Sequence, residues 1–259
     1  MSYFPANNFL LEVAKGNVPK HSLIHKFGSN LAVGTTFVPV AQGGIYQMPQ
    51  PAGATALRIK AGNTNDTAAG SGAREITLQG LDETGALATE ALATAGTSAS
   101  STTTTTFIRL FRAWVSASGT YATASAASHA ADIVIETSGG TAWTTITVSG
   151  FGHAQTEIGF YTIPLGFTGY FLGGGVYSDT TKTTEAILFK REGVIETAVP
   201  YEAMRQQHST FVKGSGEASI HPETAIGGYT GPADIGFMAK VDAGTALVEV
   251  DFQILLVAD

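Results

Sequence analysis

The sequence predicts an all-β protein with two β-sandwich or jelly-roll-like domains and an extended N-terminal arm. Apolar and polar residues alternate in many short segments, which is typical of strands with one buried face. Turn-forming residues separate these segments at short intervals, as in sandwich proteins. The 31 glycines, together with abundant threonine, alanine and serine, favour turns and strands over helices.

The N-terminal arm is assigned to residues 1–40, which lack a sustained period. A helical turn over residues 9–13 and a short strand at Ser22–Phe27 are expected within it. Aromatic residues near its start, such as Phe4 and Phe9, are unsuited to a free tail. We therefore expect the arm to lie on another surface.

The first domain is assigned to residues 41–150. Its low-complexity segment, Ala93–Thr106, contains only Ala, Gly, Ser and Thr and is expected to form an exposed loop. Phe107–Val115 is apolar on both faces and predicts a strand buried on both sides. The glycine-rich stretch Ser149–Gly152 is the expected domain boundary. The remaining candidate strands are Thr35–Val40 (in the arm), Ile45–Met48, Ala56–Ala61, Arg74–Leu81, Ala86–Leu92, Asp132–Glu136 and Thr144–Val148.

The second domain is assigned to residues 151–259. Its last segment alternates most clearly, and Asp242–Gly244 is expected to join it to the preceding strand in an antiparallel hairpin. Gly173–Gly175 falls inside a predicted strand, which indicates a bulge or a close backbone approach. The candidate strands are Ile158–Ile163, Thr168–Val176, Glu185–Arg191, Val194–Val199, Ala233–Val241 and Thr245–Val257.

Composition and charge exclude several classes of site. The chain has no cysteine, so disulfides, thiolate metal sites and cysteine nucleophiles are excluded. No signal peptide is visible, and no apolar run is long enough for a membrane span. Residues 1–30 carry a formal charge of +2 and the rest of the chain −9, so a nucleic-acid partner is not expected for this acidic body. Charged residues are only 14% of the chain, which favours a surface partly covered by partners.

An ordered set of segments resembles a family of structural proteins from tailed-bacteriophage virions. The set comprises GNVPKHSLIHKFGSN (residues 16–30), ATALRIK through AAGSGAREITLQGLDETG to FIRLFRAWV (54–115), FYTIPLGFTGYFLGGGV (160–176) and VEVDFQILLV (248–257). Where family members often continue KFG with Arg-Asn, this chain has Ser29-Asn30, so one expected basic contact is absent.

This resemblance implies a capsid decoration or cement protein made in the bacterial host cytoplasm and carried on the virion. Its expected partners are further copies of itself, as a homotrimer by analogy with phage decoration proteins, and the major capsid protein. The alternative is a tail- or fibre-associated protein that binds a receptor or glycan. The expected partner-binding residues of the arm are Phe9, Lys20, His21, His25, Lys26 and Phe27.

No catalytic, cofactor or metal site is predicted, and the chain is not expected to be an enzyme. His21 and His25 have a spacing that suits a metal only on a helix, whereas the segment is predicted to be extended. A loop with Asn63, Asn65, Asp66 and Gly70 loosely resembles a calcium site but equally suits a turn.

Aromatic residues of the strands have two possible roles. Phe107, Phe111 and Trp114 could form a platform for sugars, although core packing is the more common role of such residues. The same two roles apply to Tyr161, Tyr170 and Phe171.

Overall fold

The protein is described from a computed structural model that covers residues 9–42, 53–120, 128–148, 154–196 and 198–259. Strands account for 59% and helix for 3%, which confirms the all-β prediction. Within the described residues, no helix is long and apolar enough to cross a membrane. The expected strand at Ile45–Met48 and the expected boundary at Ser149–Gly152 lie outside these residues.

The elements occur in the following order. They are α1 (Phe9–Ala14), β1 (His21–Val33), β2 (Val38–Pro39), β3 (Thr55–Ala61), β4 (Ala73–Asp82), β5 (Leu87–Ala93), β6 (Thr106–Ser118), β7 (Ile133–Thr137), β8 (Ala142–Ile146), β9 (Phe160–Ile163), β10 (Phe167–Ser178), β11 (Thr183–Arg191), β12 (Arg205–Lys213), β13 (Gly216–Ile220), β14 (Ile226–Thr230), β15 (Ala233–Val241) and β16 (Ala246–Ala258).

The first sandwich is built from β3 to β8, which form one six-stranded sheet in the order β5-β4-β6-β3-β7-β8. β3 pairs with β6 only through Thr55 and Ala56 and then continues along β7, so the sheet has two halves. Side chains from both halves meet in one buried cluster that includes Leu78, Leu110 and Trp143. The core of this sandwich therefore comes from a continuous stretch of the chain.

The low-complexity segment is the loop that its composition predicts, with many exposed residues, but it is also hydrogen-bonded to a neighbouring strand. It runs along β3, where the Ser100 and Thr103 amides donate to the carbonyls of Ile59 and Leu57. The Thr103 hydroxyl in turn accepts the Leu57 amide at 2.9 Å. Small polar residues thus satisfy the edge of β3 that β6 leaves unpaired. Composition could not reveal this role because no apolar side chain takes part.

The second sandwich consists of two sheets that face each other across a shared core. Sheet A has the order β1-β16-β10-β13, with β14 also pairing β10. Sheet B has the order β12-β11-β15-β2, with β9 also pairing β15. Between them, Phe171 and Phe252 of sheet A pack on Phe237 of sheet B, with ring centroids 5.4–6.3 Å apart. Residues from both ends of the chain build this core.

The assignment of residues 1–40 to an extended arm is wrong for residues 21–33. They form β1, whose residues pair with β16 from His21–Val257 to Asn30–Val248. The sequence concealed this strand because Ser29 and Asn30 are polar yet buried. The Asn30 side chain donates to the Pro39 carbonyl at 2.9 Å, which satisfies it inside the fold.

The predicted hairpin over Asp242–Gly244 is also wrong. β15 belongs to sheet B and β16 to sheet A, so the turn crosses between the sheets and does not pair its neighbours. The strand expected at Val194–Val199 is absent from the described part of that segment, which forms turns and bends. Three strands were missed, β12, β13 and β14.

The two sandwiches share β6, and this confirms the prediction of a strand buried on both faces. Phe107 and Leu110 of β6 enter the core of the first sandwich. Ile108 and Phe111, with Leu81 of β4, enter the core of the second. A strand between two cores has a continuously apolar sequence because neither of its faces is exposed to water.

Candidate interaction surface

Three of the six residues expected to bind a partner lie on sheet A, and a fourth, Phe9, packs beside them. Phe9 of α1 is 40% exposed and meets the His21 ring edge-on at 5.8 Å. His25 and Phe27 follow on the same side of β1, with ring centroids 6.3 Å apart. Residues at alternate positions of a strand share a face, so these side chains lie on the side of sheet A that faces away from the core.

The other two expected residues lie elsewhere. Lys26 is 4% exposed, and its ammonium group donates to the Phe111 carbonyl of β6. Burial first, and the nearby charge of Arg112 second, lower the pKa of Lys26 to about 7. Lys20 is exposed at the end of the sheet, where its ammonium donates to the Asp259 carbonyl. Lys26 is therefore an internal group and not part of the exposed surface.

Carboxylates dominate this face, although the arm by itself is weakly basic. Strand register places Phe27 of β1 beside Asp251 of β16, and Asp251 beside Gly175 of β10. In the adjacent row, Glu249 lies beside Tyr177, and Tyr177 beside Glu217 of β13. We call the set Leu23, His25, Phe27, Tyr177, Glu217, Glu249 and Asp251 the outer face of sheet A. Its acidic members come from β16 and β13, and the pairing of both strands with β10 brings them together.

Two adjoining depressions of about 290 and 320 Å3 open on this outer face. They share Gly175, Glu217 and Asp251. A Cβ atom at Gly175 would lie 2.9 Å from a Glu217 carboxylate oxygen and 3.0 Å from one of Asp251. The absence of a side chain at Gly175 therefore lets both carboxylates lie over the strand.

The glycine run produces both features that its position predicts. The pairing of β10 with β16 shifts register between Phe171 and Gly173, which is a bulge. A Cβ at Gly174 would lie 2.2 Å from the Asp251 carbonyl oxygen, so the two strands approach closely there. The residues of the bulge and of the close approach line the second of the two depressions.

The outer face can attract cationic or hydrogen-bonding groups but has little internal ion pairing. His25 Nε2 lies 4.0 Å from Asp251 Oδ2, and both side chains are 61% exposed. An exposed pair at that distance contributes little to stability. Among the described residues, no group of three or more His, Asp or Glu side chains is arranged to hold a metal.

The loop that loosely resembled a calcium site has a structural role. Asp66 is fully buried, and its carboxylate accepts the amides of Ala73, Ala130 and Ala131 at 2.8–3.2 Å. These bonds join two loops of the first sandwich. The carboxylate oxygens are thus used by the backbone, which is the turn chemistry that the sequence left as the alternative.

The possible aromatic platform is resolved in favour of core packing for four of its six residues, whereas Trp114 and Tyr170 are half-buried. Phe107 and Phe111 are at most 2% exposed and enter the two cores. Tyr161 is 3% exposed and stacks against Phe111 at 4.7 Å. Phe171 is fully buried.

A buried network of charges joins the two sandwiches and was missed by sequence reasoning. Arg109 of β6 is fully buried, and its guanidinium donates two bonds to the Asp234 carboxylate of β15 at 2.9 and 3.1 Å. Arg191 and the Thr162 hydroxyl donate to the same carboxylate at 2.8–3.1 Å. No local signal marks such a group, because arginine and aspartate are rarely buried unless they are paired.

Two opposing effects set the pKa of Asp234. Burial raises it, but the charges and hydrogen bonds of Arg109, Arg191 and Thr162 outweigh burial and hold the pKa of this carboxyl below its usual range. Asp234 is therefore ionised at neutral pH and bound by two arginines. This network fixes the first sandwich to the second.

Comparison with known proteins gives no family. No protein-family model and no curated protein matches the chain. Among solved structures, the crystal structure of PirA is 5% identical, covering 36% of this chain and 90% of that one with a TM-score of 0.22. The infectious bursal disease virus Gt strain structure is 11% identical over 98% of this chain and 80% of that one, with a TM-score of 0.21. The VP2 subviral particle of that virus is 10% identical over 99% and 87%, with a TM-score of 0.15. TM-scores this low carry no argument about fold or function.

Proposed function

We propose that this chain is a structural protein of a tailed-bacteriophage virion that decorates or cements the capsid shell as an oligomer. The ordered resemblance of its segments to that family supports the proposal. The trimer and the capsid-surface position follow from analogy with decoration proteins. The proposed role is structural and not enzymatic.

One observation carries the proposal. Three of the resembling segments, residues 16–30, 160–176 and 248–257, are far apart in the sequence. They supply β1, β10 and β16, which are adjacent strands of sheet A, and residues 160–163 also supply β9 of sheet B. The fourth segment, residues 54–115, supplies β3 to β6 of the first sandwich. Chance matches have no reason to gather on three adjacent strands, so this placement supports a shared framework.

The outer face of sheet A is the proposed contact with the major capsid protein or a neighbouring copy. It presents His25 4.0 Å from Asp251, and Phe9 of α1 packs on His21 on the same side, so apolar contact and charge complementarity are both available. β1 is held in the sheet by β16, so it is this face, and not a free arm, that would dock. Many weak contacts around a shell would add up to stable binding.

Incorporation into particles tests this surface. The double variant Phe9→Ser, His25→Ser changes two exposed side chains on the proposed contact, and we expect it to fold but to be depleted from purified virions. The matched control is Phe211→Ser, because Phe211 is 53% exposed on β12 of sheet B. Full occupancy of the double variant in a cryo-electron map would contradict the docking role.

The alternative is a tail- or fibre-associated protein that binds a receptor or glycan. The two depressions favour it, since they combine Phe27 and Tyr177 with the carboxylates of Glu217 and Asp251 in one concave site. Copy number separates the two roles. Quantitative mass spectrometry of virions should give hundreds of copies for a shell protein, and only a few for a tail protein.

A further inference from the structure

A second cleft, of about 360 Å3, lies where the two sandwiches meet. β1 and β9 of the second sandwich line one side, and β4, β5 and β6 of the first line the other. Neither sandwich forms the cleft alone. Its volume lies in the range of small-molecule sites, about 300–1,000 Å3.

The described lining of this cleft is positive, in contrast to the acidic chain around it. His25, Lys26 and Arg112 line it, and no carboxylate does. The neutral polar lining groups are Gln79 and Tyr161. In a chain with a net charge of −7, two basic side chains, Lys26 and Arg112, without a carboxylate in the lining mark the cleft as a place where an anion is favoured.

Lys26 is the central group of the cleft. It is 4% exposed, and its ammonium donates to one carbonyl, that of Phe111. An ammonium has three protons to donate, so a further acceptor can be accommodated. Arg112 is held nearby, with its guanidinium carbon 5.8 Å from the Phe27 ring centroid. A buried cation beside a second cation is unfavourable unless an anion compensates it.

We propose that this cleft binds a small organic carboxylate. Lys26 and Arg112 hold the carboxylate group, and Gln79 and Tyr161 supply neutral hydrogen-bond donors. Leu23 and the 51%-exposed Leu87 offer apolar surface to the body of the ligand. The mixed lining favours a carboxylate with an aromatic or aliphatic body over a bare inorganic anion.

Binding to this site is coupled to a proton on Lys26. The titratable groups that line the cleft are His25 and Lys26 of β1, Arg112 of β6 and Tyr161 of β9. The pKa of Lys26 is about 7 when the cleft is empty. A bound carboxylate favours the charged ammonium and raises this pKa, so binding takes up a proton near neutral pH. Affinity therefore falls as pH rises above about 7, by roughly tenfold at pH 8.5.

Calorimetric titration with sodium benzoate at pH 6.5 and 8.5, at constant ionic strength, tests the proposal. We expect tighter binding at pH 6.5, with proton uptake visible as a dependence of the heat on buffer ionisation. Inorganic phosphate should bind more weakly because it has no apolar body. Equal affinity for phosphate would overturn the assignment to an organic carboxylate, and benzoate binding weaker than about 10 mM would overturn the site.

Variants locate the binding. Lys26→Met keeps the length of the side chain and removes its charge, and we expect at least tenfold weaker binding with no proton uptake. Arg112→Gln tests the same site if Lys26→Met fails to fold. Lys182→Met, at an exposed lysine, should bind as the wild type does. Unchanged benzoate affinity in Lys26→Met, or in Arg112→Gln where only that variant folds, would refute the proposal.

Discussion

The two sandwiches differ in how their strands are drawn from the chain. The first takes β3 to β8 from one continuous stretch, residues 55–146. The second pairs β1 with β16 and places β2 beside β15, so its sheets close only when both ends of the chain are present. Contacts between distant segments must overcome a larger loss of chain entropy before they form. The second sandwich is therefore the part that depends on an intact N-terminal segment.

Deleting residues 1–30 is expected to have the largest effect. It removes most of β1 and exposes one whole edge of β16 in sheet A. Both tryptophans of the chain, Trp114 and Trp143, lie in the first sandwich, so their fluorescence reports on it separately. We expect the far-UV circular dichroism transition to lose the amplitude that the second sandwich contributes, while a tryptophan transition remains.

The control for this deletion is the removal of residues 1–15. That truncation deletes α1, which buries Val13, but keeps β1 intact. We expect both spectroscopic transitions to survive with a small loss of stability. A wild-type circular dichroism transition in the 1–30 deletion would show that β1 is dispensable.

Asp234→Asn should be the most damaging single substitution at the connection between the sandwiches. It leaves Arg109 and Arg191 buried without a counter-charge, and breaking such a pair destabilises by about 3–5 kcal/mol. Urea unfolding followed by tryptophan fluorescence and by circular dichroism measures this loss. We expect the two probes, coincident in the wild type, to separate in the variant. Asp242→Asn, at an exposed site, is the control.

The same substitution has a defined pH dependence. The pKa of Asp234 is lowered by folding, so its stabilisation is complete above the unfolded value of about 4 and is lost as pH falls toward the folded value. The stability difference between the wild type and Asp234→Asn should therefore narrow below about pH 4. A difference that stays constant from pH 7 to pH 3 would contradict this account of the carboxylate.

Glycine substitutions give a smaller and more local comparison. A Cβ at Gly80 would lie 1.9 Å from the Arg109 carbonyl oxygen in the first sandwich, and one at Gly174 would lie 2.2 Å from the Asp251 carbonyl oxygen in the second. We expect each Gly→Ala change to destabilise by about 1–3 kcal/mol, with Gly80→Ala shifting the tryptophan transition more. Gly34→Ala meets open space and should change stability by less than about 0.5 kcal/mol.

Asp66→Asn should have the smallest effect. The asparagine carbonyl can keep the bonds from Ala73 and Ala130 but loses the one from Ala131, which costs about 1 kcal/mol in thermal unfolding. EDTA should leave the Tm of the wild type unchanged, because backbone amides occupy the Asp66 carboxylate. A fall of many degrees with EDTA would restore the calcium interpretation of this loop.

The sequence predicted the first sandwich better than the second for a physical reason. Ile76 and Leu78 alternate with polar residues, and β4 falls within one residue of its predicted bounds. β12, in contrast, has the sequence RQQHSTFVK and lies at a sheet edge. Few of its side chains are buried, so its sequence does not alternate between apolar and polar residues. The predicted strand Ser22–Phe27 is shorter than β1, which ends at Val33. The polar Asn30 was not expected in a buried strand, because its hydrogen bond to the Pro39 carbonyl depends on the fold and not on the local sequence.

The candidate surface was predictable in part. Alternation along β1 placed His25 and Phe27 on one side. The partners Glu217 and Asp251 were not associated with them, because strand register joins segments about 190 to 225 residues apart. Lys26 and Asp234 show the same limit for charged residues, since composition suggests exposure and only the packing reveals burial.

The pairing of β1 with β16 also determines how the molecule responds to force. The strands are antiparallel, and His21 lies opposite Val257, so residues 20 and 259 emerge at the same end of the pair. Tension applied between those two points opens the hydrogen bonds one after another, as in unzipping. Tension applied between residue 20 and the opposite end of β16 would instead load all of the bonds at once in shear. This strand pair therefore resists tension less between residues 20 and 259 than between residue 20 and the start of β16.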